Sequence, residues 1–123
     1  TAACRMSANT AAFRAEVKRT SGVDIEVISE YEEARLTLLG ARLNAQAGKK
    51  YLLVYDLGGG STEVTLATNA ATPEILATVS VPLGARNATE MFGLANYNEA
   101  GAKALEEAVL KYLEPFFAQT AGH

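Results

Sequence analysis

Apolar residues recur at helical spacing toward both ends of the chain and at strand spacing in its middle. Phe13 and Val17 share a face of a helix predicted over residues 10–19, with Asn9 as its N-cap and Gly22 as its stop. Val23, Ile25 and Val27 then alternate with polar residues, which predicts a strand over 23–28. Ser29 with Glu32 three residues on makes a capping box, and Glu30, Glu32 and Glu33 crowd the first turn, where the helix dipole favours acids. This helix is expected to reach about residue 47, with Tyr31, Ala34, Leu38, Ala41 and Ala45 on one stripe and Leu36, Leu39 and Leu43 beside it, a face wide enough for burial on more than one side. Gly48, Lys49 and Lys50 form a polar joint.

Beyond the joint the period changes. Residues 51–55 (Tyr-Leu-Leu-Val-Tyr) read as a buried strand. After residues 58–60, all glycine, Thr62, Val64 and Leu66 fall on one face and Glu63, Thr65 and Ala67 on the other, which is strand alternation again. A third strand is expected over 74–82, antiparallel to the second, followed by a short helix ending near Gly93 with Met91 and Phe92 inward. Asn98 caps a longer helix predicted to end near Glu114, with Ala102, Leu105, Val109, Tyr112 and Leu113 toward the core and Pro115 limiting its extension.

The glycines therefore lie between two strands. A dinucleotide fingerprint or a P-loop would place a helix after them, and a P-loop would follow its last glycine with Lys, where this chain has Ser61. What remains is a glycine-lined hairpin with Asp56 before it and Glu63 after it. Residues without a Cβ let a ligand approach the backbone and let N–H groups converge on an anion, and flanking carboxylates suit Mg²⁺, which takes oxygen ligands and bridges to phosphate. The plainer alternative is a simple hairpin turn.

Length and composition narrow the class. The 123 residues suffice for a domain with a real core, and 49% hydrophobic against 20% charged residues marks an ordered chain. A net charge of −3 argues against a nucleic-acid polymer or an anionic membrane as partner, and no apolar run approaches the roughly 20 residues that cross a bilayer. The single cysteine, Cys4, excludes an internal disulfide and fits a reducing, cytoplasmic setting. The chain starts at Thr1 rather than Met, so it is expected to be a piece of something longer.

Residues 56–63 (Asp-Leu-Gly-Gly-Gly-Ser-Thr-Glu) resemble the second phosphate motif of the exopolyphosphatase/guanosine pentaphosphate phosphohydrolase (Ppx/GppA) family. Four more stretches agree in order. Residues 1–5 (Thr-Ala-Ala-Cys-Arg), with Asn9 after them, resemble the family's Ala-Thr-Ser-Ala-x-Arg segment, and residues 25–29 the strand before its catalytic helix. Residues 32–36 (Glu-Glu-Ala-Arg-Leu) are similar to the signature opening that helix. Leu83-Gly84-Ala85 with Thr89, Glu90 and Phe92 resembles its Leu-Gly-Ala-x-x-x-Thr-Glu-x-Phe motif. Glu30 stands where the family usually has Gly, and Arg86-Asn87-Ala88 replaces an apolar-basic-apolar step.

The resemblance implies an α/β, ribonuclease H-like fold of the actin, sugar kinase and heat-shock chaperone ATPase superfamily with incomplete lobes. Residues 1–48 would be the C-terminal part of the first lobe and 49–123 the N-terminal part of the second. It implies that Glu33 is the general base, that Gly58, Gly59, Gly60 and Ser61 hold phosphate with Arg5 as a clamp, and that Asp56 and Glu63 bind Mg²⁺. The activity implied is hydrolysis of terminal phosphoanhydride bonds of inorganic polyphosphate or guanosine pentaphosphate, with the isolated chain itself inactive and its open lobe surfaces favouring a homo-oligomer. The rival readings are a sugar- or acetate-kinase-like phosphotransferase and a non-catalytic phosphate- or nucleotide-binding module.

Overall fold

The computed structural model describes residues 2–123; Thr1, the first position of the motif at the start of the chain, lies outside the described residues. An antiparallel sheet in the order β1-β2-β3 forms the centre, from β1 (Tyr51–Leu57), β2 (Thr62–Thr68) and β3 (Ile75–Val81). Asp56 is paired with Glu63 across β1 and β2, and Glu63 with Ser80 across β2 and β3, so these three side chains share one face. The opposite face carries Val64, Leu66, Ala77 and Val79.

Each face receives a helix. On the Asp56 face lies α3 (Glu30–Ala41), against all three strands and tied to β1 by the Thr37 hydroxyl, 3.0 Å from Asp56 Oδ2. On the other face α5 (Glu99–Thr120) brings Phe116 onto Val64 and Ala77, while Leu113 packs beside them. A second cluster, Val81, Leu83 and Ala88, joins β3 to α4 (Ala85–Met91), with Phe92, Leu105 and Val109 against it. Strand β2 is thus covered on both sides, and Val64, Thr65 and Ala67 are all buried.

The helices at the start pack differently. The segment at 2–5, which carries no element in the sequence reading, is the short helix α1 (Ala2–Met6). Helix α2 (Thr10–Ser21) runs one half-turn beyond the expected end to Gly22, whose φ of 74° is left-handed and closes the helix by an N–H bond to Lys18 O. Asn9 precedes it but its side chain makes no capping bond. The expected strand at 23–28 is absent. Its backbone bonds are taken by side chains instead: Arg14 Nε donates to Ile25 O at 2.6 Å and Arg5 Nη1 to Ile28 O at 3.4 Å, with no neighbouring strand in a ladder.

Further differences lie in the lengths and faces of the elements. Helix α3 ends at Ala41, just after Gly40, and continues only as a 3₁₀ turn (Arg42–Asn44). It buries Ala34 and Leu38 alone, leaving Tyr31, Leu36, Leu39 and Leu43 exposed. Strand β1 is an edge, so Leu53, Tyr55 and Leu57 are open on the α5 side, which reaches only as far as β2. Helix α5 passes through Pro115, because burying Phe116 one residue later outweighs one missing backbone bond. Met91 and Tyr112 face outward rather than inward.

Candidate active site

A cleft of about 730 Å³ opens between the first turn of α3 and the β1–β2 hairpin, bordered by α1 and α4. Its lining brings together Glu33, Asp56, Gly58, Gly59, Gly60, Ser61 and Glu63, residues separated by up to thirty positions and named from sequence as one site. Ala3, Met6, Arg86, Asn87 and Glu90 complete the walls.

Glu33 arrives there because Ser29 ends the extended segment and caps α3: its hydroxyl accepts from Glu32 N at 3.1 Å, and its carbonyl from Glu33 N at 3.0 Å. The adjacent acids divide. Glu32 turns to Arg35, whose guanidinium is 2.7 Å away and holds that carboxyl below the ordinary glutamate range; Glu33 takes the cleft side. The capping box is half formed, since Glu32 is committed to Arg35 rather than to the cap.

Arg5 does not line the cleft. Its Nη1 lies 2.6 Å from Glu33 Oε2, its side chain is 16% exposed, and its Nη2 is buried with no hydrogen-bond partner among the described residues. It contacts the Glu33 carboxylate through Nη1 alone, from outside the cleft lining.

The hairpin turn itself is unusual. None of Gly58, Gly59 and Gly60 has a left-handed φ, and a Cβ on Gly59 or Gly60 would meet nothing within 4 Å. Neither backbone strain nor protein packing therefore calls for glycine at these two positions. Gly58 N closes the turn on Ser61 O at 2.9 Å. The N–H groups of Gly59, Gly60 and Ser61 find no acceptor among the described residues.

Asp56 and Glu63 sit side by side below this turn. Glu63 is only 7% exposed, not a solvated strand acid, and accepts one hydrogen bond from Ser80 Oγ at 3.0 Å; Asp56 accepts from Thr37. Two adjacent carboxylates with oxygen lone pairs left over fit Mg²⁺, which is held by one or two protein carboxylates together with substrate phosphates and water. Among the described residues no group of three or more His, Cys, Asp or Glu could form an all-protein cage.

Sequence reasoning did not assign Gly84 or Asn87 to the site. A Cβ on Gly84 would stand 2.5 Å from Gly58 O, Gly59 C and Gly60 N, so only glycine lets α4 abut the turn. The Leu-Gly-Ala stretch was a visible signal, but its spacing shows a helix start and not what the helix start touches. Glu30, the other departure from the family pattern, is exposed and outside the cleft lining.

Residues 1–121 match the Ppx/GppA phosphatase family. The crystal structure of an exopolyphosphatase-like protein superposes with a TM-score of 0.70 at 29% sequence identity, over 90% of this chain and 37% of that one. This chain therefore spans little more than a third of that relative's length, with the mixed α/β architecture of the actin-like, ribonuclease H-like class in incomplete form. No helix among the described residues is long and apolar enough to cross a membrane. The chain belongs to the Ppx/GppA phosphatase family.

Proposed function

We propose that this chain is the central part of a hydrolase that removes terminal phosphate from inorganic polyphosphate or a guanosine pentaphosphate, with residues 1–48 closing one lobe and 49–123 opening the next. The observation that carries the reading is the turn at Gly59 and Gly60: the fold does not require glycine there, three N–H groups lack acceptors among the described residues, and Glu33 lines the same cleft. A ligand that approaches the bare backbone accounts for all three.

In this mechanism Glu33, steadied by Arg5, accepts a proton from a water. The water oxygen forms a bond to the terminal phosphorus as the bridging P–O bond breaks, and that electron pair leaves on the shortened polyphosphate. Charge that develops on the transferred group's oxygens is met by the N–H groups of Gly59, Gly60 and Ser61. Mg²⁺ bound by Asp56 and Glu63 would shield phosphate charge that an acidic cleft repels. Glu30 is exposed and outside the lining, so its side chain does not occupy the cleft.

The test is orthophosphate release from polyphosphate of defined length by the longer protein, without an added hydroxyl compound. Steady release supports the hydrolase. Transfer that proceeds only when a hydroxyl acceptor is supplied would replace it with the kinase-like reading. The 123-residue chain alone, with one phosphate loop, is expected to show little turnover.

A further inference from the structure

Three successive peptide planes in the turn are held the same way. Gly58 O accepts from Ala85 N at 2.9 Å, Gly59 O from Arg86 N at 3.0 Å and Asn87 N at 3.2 Å, and Gly60 O from Asn87 Nδ2 at 3.0 Å. In a trans peptide the N–H points opposite to the C=O. Fixing the carbonyls of Gly58, Gly59 and Gly60 on α4 therefore turns the N–H groups of Gly59, Gly60 and Ser61 away from it. Backbone donors at the start of α4 set the first two planes, but the third is set by a side chain alone.

We infer that Asn87 is a positioning residue that aims the Ser61 N–H into the cleft and, through Gly60, completes the donor set of the turn. Both of its amide hydrogens are used inside the protein, on Gly60 O and Pro82 O at 3.0 Å each, and its Oδ1 accepts from Gly84 N at 2.7 Å. It thus acts through the loop rather than by touching a substrate, although it borders the cleft. The carbonyls it helps to bind also fill the donor end of α4. Polarisation along each peptide, from α4 donor through the C=O to the outward N–H, strengthens the donors that face the cleft. This inference rests on the phosphate-cradle reading of the same turn.

The experiment is a titration of the ¹⁵N-labelled 123-residue chain with tripolyphosphate and Mg²⁺, following the amide resonances of Gly59, Gly60 and Ser61. In the unmodified chain all three are expected to shift on one binding curve and to exchange with solvent more slowly when saturated. In Asn87→Ala, affinity is expected to fall about tenfold or more, with the Ser61 response lost and that of Gly59 retained. A purely structural role would weaken all three amides together, and that pattern overturns the inference. So would an Asn87→Ala chain with unchanged affinity and an unchanged Ser61 response, while leaving the cradle reading intact. Absence of any shift in the unmodified chain would instead remove the cradle, and this inference with it. If Asn87→Ala does not fold, the unmodified chain still decides: a Ser61 amide that stays unprotected while Gly59 and Gly60 become protected contradicts the role of Asn87.

Discussion

Arg5 Nη1 and Glu33 Oε2 lie 2.6 Å apart, joining the first helix of the chain to the first turn of α3 across twenty-eight residues. The contact helps to hold the Glu33 carboxylate in place on the first turn of α3. Because the guanidinium also donates to Ile28 O, the same side chain anchors the unpaired extended segment. Arg5→Ala is expected to lower unfolding stability by about 2 kcal/mol, read from urea denaturation. Arg5→Lys should recover part of it, since both contacts are made by Nη1 and an ammonium can supply a donor there. A stability unchanged in Arg5→Ala would show that the pair does not brace the site.

Gly59 and Gly60 separate fold from function. With no left-handed φ and open space where a Cβ would go, Gly59→Ala and Gly60→Ala should leave the melting temperature unchanged or slightly raised. Tripolyphosphate affinity should fall about tenfold or more, because the methyl group occupies the ligand's approach. Calorimetry on the two variants checks both halves. A drop in stability with unaltered affinity would mean that the glycines serve only the turn.

The paired carboxylates predict a metal requirement that depends on phosphate. Mg²⁺ should strengthen tripolyphosphate binding at least about tenfold, and EDTA should reverse this. Asp56→Asn should weaken the dependence on Mg²⁺, since it removes one of the two carboxylates that would hold the ion. Equal affinity with and without Mg²⁺ in the unmodified chain would exclude Asp56 and Glu63 as its holders.

Glu32 gives a prediction about pH. Its hydrogen bond to Arg35 lowers its carboxyl below the ordinary value in the folded chain, so the unfolded chain binds this proton more tightly. The contribution to stability is therefore present above the ordinary glutamate value and lost as pH falls through the lowered one. A ¹³C titration of the Glu32 carboxyl should give a midpoint below that of an ordinary glutamate, and Arg35→Ala should bring it back up. An unchanged midpoint in the variant would assign the shift to another cause.

The β-hairpin and the two faces of β2 were legible because residues 62–67 alternate with a period of two, whereas the apolar run 51–55 shows a strand but not its register or its open face. Capping of α3 by Ser29 was legible from its side chain alone. Burial was less so. The apolar positions Leu53, Tyr55, Leu57 and Leu43 are exposed, because alternation shows which residues share a face but not whether another element covers it. Residues 23–28 have a strand's composition without a neighbouring strand, and ladder bonds need two partners. Pro115 reads locally as a stop, whereas the burial of Phe116 is a tertiary gain invisible to propensity. In the site, the named residues other than Arg5 line one cleft, but the hold of α4 on the glycine turn depends on a contact between residues 58–60 and 84–87 that no local pattern announces.

The most direct test of the account is the rate of orthophosphate release from polyphosphate by the longer protein carrying Glu33→Gln, with polyphosphate binding measured in parallel. Release should fall by about 10²–10⁴-fold, while affinity changes little. Turnover equal to that of the unmodified protein would contradict the assignment of Glu33 as the group that activates water.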